Sequence, residues 1–308
     1  MKNFYYCVDV GGTYIKAGVV DEKGKILFKD KCPTNLKTNS LAENIIILLK
    51  NIENSSGFEL KKALGLGVAC PGMIDSTNGI VKFAGNLNLT NYPLEMEMKK
   101  FTKVPIKLAN DADAATLAEL ILGSGKGFGS AFMFTFGTGV GGGFALNGHL
   151  LPVNYSGEIG HMKLFSNGIK CTCGEEGCYE TMASTAALIR QTKEAVKNNP
   201  NSLLNTYPLE SISGKTIFEF LDKDKTAKEV FDRFITYAGT GIVNIVNTLN
   251  PDVIIIGGAI SAQKDVVLKP LTKYVNEHVF KRHGNEKVEI KIAKFTNDAG
   301  IIGARFLF

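Results

Sequence analysis

The sequence predicts an α/β protein built as two related lobes. Three observations predict this: an antiparallel meander at the start of the chain, apolar strands that end in polar residues, and a strand–turn–strand near the middle that echoes the opening. The meander comprises a strand from Phe4 to Val10, a Gly-Gly-Thr turn, a strand from Ile15 to Val20, the turn Glu22-Lys23-Gly24, and a strand from Lys25 to Lys29. Ser40 followed by Glu43 has the form of a capping box, and Leu41, Ile45, Leu48, Leu49 and Ile52 then recur at helical spacing. A helix packed on the sheet follows from that pattern. Ala63 to Ala69 reads as a buried strand ending at Pro71-Gly72. Ile106 to Ala109 reads as another, ending at Asn110-Asp111 and followed by a helix from Ala112 to Leu122. Open α/β sheets bind ligands at such strand ends.

The plan restarts with a strand from Ser130 to Phe136, the turn Gly137-Thr138-Gly139 and a strand from Val140 to Leu146. Helical stretches are expected over Glu180 to Lys197 and Lys225 to Leu249, then an apolar strand from Val253 to Ile256 ending at Gly257-Gly258, and a last helix from Asp298 to Phe308. Asn199 to Ser213, rich in Asn, Pro and Ser, reads as a surface loop. The expected division is a small N-terminal lobe of 1–113 plus 298–308 and a large C-terminal lobe of 114–297.

With 308 residues, 44% of them hydrophobic, the chain can fill two cores. Its net charge of +5 is dispersed among Asp and Glu with no basic stripe, so no nucleic-acid partner is expected. Met1 to Val10 enters a strand directly, without a signal-peptide pattern, and no segment reaches membrane-spanning length. The expectation is a cytoplasmic protein with no membrane partner. Of six cysteines, Cys171, Cys173 and Cys178 lie within eight residues, which points to a metal rather than disulfides. Cys7, Cys32 and Cys70 stand apart, as buried free thiols do.

Four segments carry chemistry. In Asp9-Val10-Gly11-Gly12-Thr13, glycines let backbone N–H groups approach phosphate oxygens, Thr13 adds a donor, and Asp9 can hold Mg²⁺ through water. A tight hairpin turn capped by Asp9 is an equal reading of these residues alone. Lys16 is either a phosphate contact or a surface charge. In Phe136 to Gly143, five glycines in eight positions would weaken an ordinary hairpin, so something requires the bare backbone, and phosphate is the obvious candidate. Two Gly-Thr hairpins, one per lobe, imply phosphates clamped between lobes.

In Asn110-Asp111-Ala112-Asp113, a carboxylate at a strand end can accept a hydroxyl proton as that hydroxyl attacks a γ-phosphoryl group. The competing reading is a helix N-cap. In the fourth segment, His161, Cys171, Cys173 and Cys178, four ligands within eighteen residues, match a closed tetrahedral Zn²⁺ site of the structural kind. Glu158 and Glu180 bracket it, so a folded metal loop would bring two carboxylates together as acceptors for sugar hydroxyls.

Taken together these segments resemble the ROK family of sugar kinases and repressors. The resemblance runs from Asp9-Val10-Gly11-Gly12-Thr13 through Gly67 to Gly72, Asn110-Asp111, the Gly137 to Gly143 loop, the Glu158 to Glu180 segment and Gly257-Gly258-Ala259 to Asp298-Ala299-Gly300. It implies two actin-like, ribonuclease H-like lobes around a central cleft, ATP with Mg²⁺ as phosphoryl donor, structural Zn²⁺ and a homodimer. By position it implies Asp111 as catalytic base, and Gly72, Asn86, Asn110, Glu158, His161 and Glu180 on the sugar. Asp9, Gly11, Gly12, Thr13, Lys16, Thr138, Gly139, Gly257 and Gly258 would meet the nucleotide and its metal.

The Cys171-Thr172-Cys173-Gly174 form is the one associated with kinases for glucose and amino-sugars, so glucose, phosphorylated at its 6-hydroxyl, is the first expectation. Many glucokinase-like members carry a Trp after the Asn-Leu equivalent to Asn86-Leu87, and this chain has no Trp. N-acetylmannosamine, N-acetylglucosamine or a β-glucoside therefore stay as alternatives. A ROK-type regulator would place a DNA-binding domain before Asp9; with Asp9 at the ninth position, that reading is not the expected one. A filament or chaperone of the wider actin-like superfamily would have no use for the cysteine cluster.

Overall fold

The computed structural model describes residues 3–151, 157–280 and 287–308. The opening meander forms as β1 (Phe4–Val10), β2 (Tyr14–Asp21) and β3 (Ile26–Pro33). The near-continuous burial of β1 suits a central strand, covered on both faces. α1 (Leu41–Ser56) starts at the expected capping box, with Ser40 Oγ accepting from the Glu43 N–H at 3.2 Å and Glu43 Oε2 accepting from the Ser40 N–H at 2.7 Å. Its apolar stripe of Leu41, Ile45, Leu48, Leu49 and Ile52 is buried with Val8, Val10, Ile15 and Val68 in one core.

A short 3₁₀ turn at Leu60–Lys62 delays the next strand, β4, to Leu66–Cys70. Three strands then form a separate antiparallel sheet, β5 (Met73–Asp75), β6 (Ile80–Ala84) and β7 (Leu89–Tyr92). They are too short to register as a period-2 pattern in the sequence. α2 (Leu94–Lys99), β8 (Ile106–Asn110) and α3 (Asp111–Ile121) follow. The main sheet has the order β3-β2-β1-β4-β8, with β1, β4 and β8 parallel.

The second sheet repeats this plan. It uses β9 (Ser130–Phe136), β10 (Val140–Leu146), β11 (His149–Leu150), β12 (Val253–Gly258) and β13 (Glu289–Ile292) in the order β11-β10-β9-β12-β13. The stretch expected as one helix over Glu180 to Lys197 is two, α4 (Glu180–Ala183) and α5 (Thr185–Asn198). Ser184 is extended (φ −80°, ψ 166°) and its Oγ accepts from the Ala187 N–H, so it ends one helix and caps the next. α6 (Lys225–Leu249) has the expected bounds, capped by Asp224.

α7 (Asp265–His278) and β13 escape the sequence reading. α7 buries only Val267, Leu271 and Val275 and contains Pro270, which blurs the helical signal. The expected loop after α5 carries 3₁₀ turns at Leu203–Thr206 and Leu209–Ser211. The last helix, α8, is shorter than expected (Ala299–Arg305). Among the described residues no helix is long and apolar enough to cross a membrane.

The chain divides into two compact units, Met1–Ala131 with Gly143–Gly157 and Lys294–Phe308, and Phe132–Gly142 with Glu158–Ala293. The sequence boundary at 113/114 falls inside α3, which the first unit contains whole. The reason is a close helix crossing. Every residue of α8 is buried, and a Cβ at Gly303 would lie 1.7 Å from the Ala114 carbonyl oxygen of α3. The backbones therefore touch without intervening side chains. Gly303→Val is expected to destabilise the protein by about 3 kcal/mol, the upper range for an overpacked core, read as a lower urea midpoint at unchanged slope. An unchanged midpoint would show that the two helices separate freely.

Candidate active site

The first unit gathers its site residues at one end of the parallel strands β1, β4 and β8. Asp9 in β1 lies level with Ala69 in β4, and Cys70 lies level with Asn110 in β8. Asp9 and Asp111 thus flank Cys70. Burial first, and then the negative charges of Asp111 and Asp9, push the Cys70 thiol well above its usual range, so it stays a neutral thiol. Lys16, opposite Asp9 on β2, donates to Asp9 Oδ2 at 3.1 Å and to the Asn297 carbonyl at 3.2 Å. Lys16 therefore offsets the Asp9 carboxylate rather than standing as an isolated surface charge.

The turn Gly11 to Thr13 is closed by the Gly11 N–H donating to Tyr14 O at 2.9 Å. It is also tied outward, since Thr34 Oγ1 donates to Gly11 O at 2.7 Å and the Thr34 N–H donates to Thr13 O. Gly12 and Thr13 are exposed. Asn86 sits against this turn, its Nδ2 3.6 Å from where a Cβ on Gly12 would be.

Asn110, not Asp111, is the N-cap of α3. Its Oδ1 accepts from the Ala112 N–H at 2.8 Å and the Asp113 N–H at 3.3 Å, while its Nδ2 donates to Gly72 O at 3.0 Å. One side chain therefore caps a helix and fixes the loop after β4. Asp111 occupies the first helical position, with its Oδ1 accepting from the Ala112 N–H at 2.9 Å, where the helix dipole favours a carboxylate. The capping role therefore falls to Asn110, which leaves the Asp111 carboxylate outside the cap.

The second unit holds the metal-ligand set. The ligand atoms of His161, Cys171, Cys173 and Cys178 all lie within 4.8 Å of one another. Cys173 Sγ is 3.7 Å from Cys178 Sγ, and Cys171 Sγ is 3.7 Å from His161 Nδ1. A disulfide would need about 2.05 Å, whereas thiolates at 2.3 Å from a tetrahedral ion stand about 3.8 Å apart. The set therefore fits a four-coordinate metal ion. Gly174 and Gly177, both at positive φ, supply the tight turns between ligands, and Cys171 N–H donates to Glu175 O at 2.7 Å.

Glu158 and Glu180 meet around the histidine. Glu158 Oε2 is 3.9 Å from His161 Nε2, and Glu180 Oε1 is 3.9 Å from His161 Nδ1. With Nδ1 on the thiol side, Nε2 is left to face Glu158, the arrangement in which an outer carboxylate sets the imidazole tautomer. Burial pushes the Glu158 carboxyl up, opposed by His161 and reinforced by Glu180. Glu180 reaches the glycine turn as well: a Cβ on Gly139 would lie 2.4 Å from its Oε2.

Not every glycine of that loop is explained by phosphate. Cβ atoms on Gly142 and Gly143 would strike Ile159 and the Ala112 carbonyl of α3, so those two serve packing. Gly258, at the end of β12, lies against Phe136, the residue before the Gly137 turn, which brings Gly257-Gly258 beside Thr138-Gly139.

Supporting residues were missed. Tyr179 is fully buried, and its hydroxyl donates to Ala238 O at 2.7 Å beneath the Glu180 turn. Arg190 Nη2 donates to Thr181 O at 2.7 Å and Gln191 Nε2 to Met182 O at 2.9 Å, holding the same turn from α5. Gly300 packs on Asp9, with a Cβ there placed 2.6 Å from the carboxyl carbon. Only Gly300 left a trace in the sequence, as part of Asp298-Ala299-Gly300.

Two sheets of one plan, a carboxylate-bearing edge in one unit and a cysteine-histidine cluster in the other define a protein of the actin-like, hexokinase-type α/β class. The ROK family model matches residues 5–308, and the chain belongs to the ROK family. The glucokinase of Halalkalibacterium halodurans is 36% identical over 99% of this chain and 94% of its own length. That of Thermotoga maritima is 34% identical over 96% of this chain and 94% of its own. A crystal structure of a ROK family glucokinase from Streptomyces griseus in complex with glucose and AMPPNP is similar with a TM-score of 0.84 at 29% identity, covering 99% of each chain.

Asn110→Ala removes both the cap and the tie to Gly72. A loss of about 1 kcal/mol is expected for the cap alone, so chemical unfolding should show at least that much. A stability equal to the parent would mean that the side chain holds neither.

Proposed function

We propose that this ROK family chain is an ATP-dependent glucokinase that transfers the γ-phosphoryl group of ATP to the 6-hydroxyl of glucose. The observation that carries the reading is the placing of Asp111 at the first position of α3, beyond the end of β8, in the sheet whose neighbouring parallel strands β4 and β1 carry Cys70 and Asp9 at the same end. The glucokinases named above, at 36% and 34% identity, support glucose as the acceptor.

Asp111 accepts the proton of the 6-hydroxyl as its oxygen attacks the γ-phosphorus and the bond to ADP breaks. Asn110 contributes by holding Asp111 and the Gly72 loop in register. Asn86, Gly72, Asn110, Glu158, His161 and Glu180 orient the sugar hydroxyls. Backbone N–H groups at Gly12, Thr13, Thr138 and Gly139 receive the phosphates, Gly11 shapes the first turn through its own N–H bond to Tyr14 O, and Gly257-Gly258 receives the adenosine. Asp9 would hold Mg²⁺, which would supply neutralisation of phosphate charge. His161, Cys171, Cys173 and Cys178 would hold Zn²⁺, which would serve to fix the loop that carries Glu158 and Glu180. A homodimer in the cytoplasm completes the reading.

In a coupled ADP-release assay across hexoses, N-acetylhexosamines and β-glucosides, glucose is expected to give the highest kcat/KM. Asp111→Asn, which keeps an acceptor for the Ala112 N–H, is expected to lower kcat by at least about 10²-fold; full activity in that variant would sink the assignment. Elemental analysis is expected to find one zinc per chain, and its removal to raise the glucose KM as well as lower stability. Metal-free purified protein with normal kinetics would reject the zinc assignment.

A further inference from the structure

An open groove of about 370 Å³ runs between α5 and α6 in the second unit. None of its lining residues belongs to the sugar, nucleotide or metal sets above. Its size falls within the range of small-molecule sites, about 300 to 1,000 Å³.

Arg190 and Gln191 from α5 and Arg233 from α6 give the groove its chemistry. Arg233 is exposed and makes no hydrogen bond or ion pair with the described residues. Arg190 is committed, through Nη2 to Thr181 O and through Nε to the Glu194 carboxylate. Gln191 is 5% exposed, and its Oε1 is buried without a partner while its Nε2 is used. Buried polar atoms are nearly always paired, so Gln191 Oε1, an acceptor, marks a place where a hydroxyl can take part.

The acidic residues on the rim are balanced locally: Glu194 lies 3.5 Å from Arg190 Nε, and Glu229 lies 3.5 Å from Lys225 Nζ. The uncompensated charge is the Arg233 guanidinium. Guanidinium forks match phosphate oxygens in paired hydrogen bonds, and the Asn198 and Asn199 amides on the rim suit hydroxyl groups. We propose that the groove is a second ligand site, for the phosphate monoester of a small polyol such as a phosphorylated monosaccharide. The site is separate from the proposed catalytic residues, and the inference does not depend on which sugar they act upon.

Arg190 and Gln191 also hold the turn that carries Glu180, so changing them would disturb two sites at once. Arg233 touches neither and is the residue to alter. The full chain, saturated with glucose and a non-hydrolysable ATP analogue, is titrated calorimetrically with glucose 6-phosphate, with inorganic phosphate and sorbitol as separate arms. Saturable binding of one glucose 6-phosphate per chain is expected, with weaker binding of inorganic phosphate. Arg233→Glu and Arg233→Gln should each weaken it at least tenfold, with circular dichroism and kcat on glucose unchanged. Absence of saturable binding, equal affinity in both folded variants, or sorbitol binding as tightly as glucose 6-phosphate would overturn the proposal. Loss of ADP release in the parent protein would instead bear on the kinase reading alone.

Discussion

The Asn110 side chain is the constraint on which the first unit's chemistry depends. One amide satisfies two orphan N–H groups at the start of α3 and holds the Gly72 carbonyl from the neighbouring strand end. A helix start and a loop are thus locked to each other, and Asp111 inherits its position from both. At that first helical position a carboxylate lies with the favourable end of the helix dipole. Below, the neutral Cys70 thiol adds no charge between Asp9 and Asp111.

In the second unit His161 plays the corresponding part. Its ring stands between two carboxylates and beside the thiols, so a metal ion on Nδ1 would fix the ring plane and, with it, the face that Nε2 presents to Glu158. Glu180 is constrained from the other side by Tyr179, Arg190 and Gln191. A four-residue helix has little stability of its own, so these side-chain hydrogen bonds with α5 and α6 hold it in place.

Most strands and long helices were legible because their periods were clean. β1, β9, β10 and α6 have the bounds the pattern implied. The small sheet β5-β6-β7 and α7 were not, because short strands carry too few residues to show alternation and Pro270 interrupts an already sparse stripe. The metal-ligand set was readable from local spacing alone, since three thiols in a short loop with glycines between them have few other uses. The division of labour between Asn110 and Asp111 was not, because both residue types cap helices equally well. Tyr179, Arg190 and Gln191 act through contacts with residues distant in the chain or on another helix, where no local pattern exists.

The amino-acid order alone determined the α/β class, the repeated lobe plan, the ligand set around His161 and the candidate carboxylates, since each of these is written in periodicity or close spacing. Tertiary structure decided that Asn110 rather than Asp111 caps α3, that Lys16 compensates Asp9, that the glycines at 142 and 143 serve packing, and that α3 and α8 cross with backbones in contact. Those outcomes rest on distances between segments far apart in sequence, and such distances exist only once the strands have paired and the helices have packed.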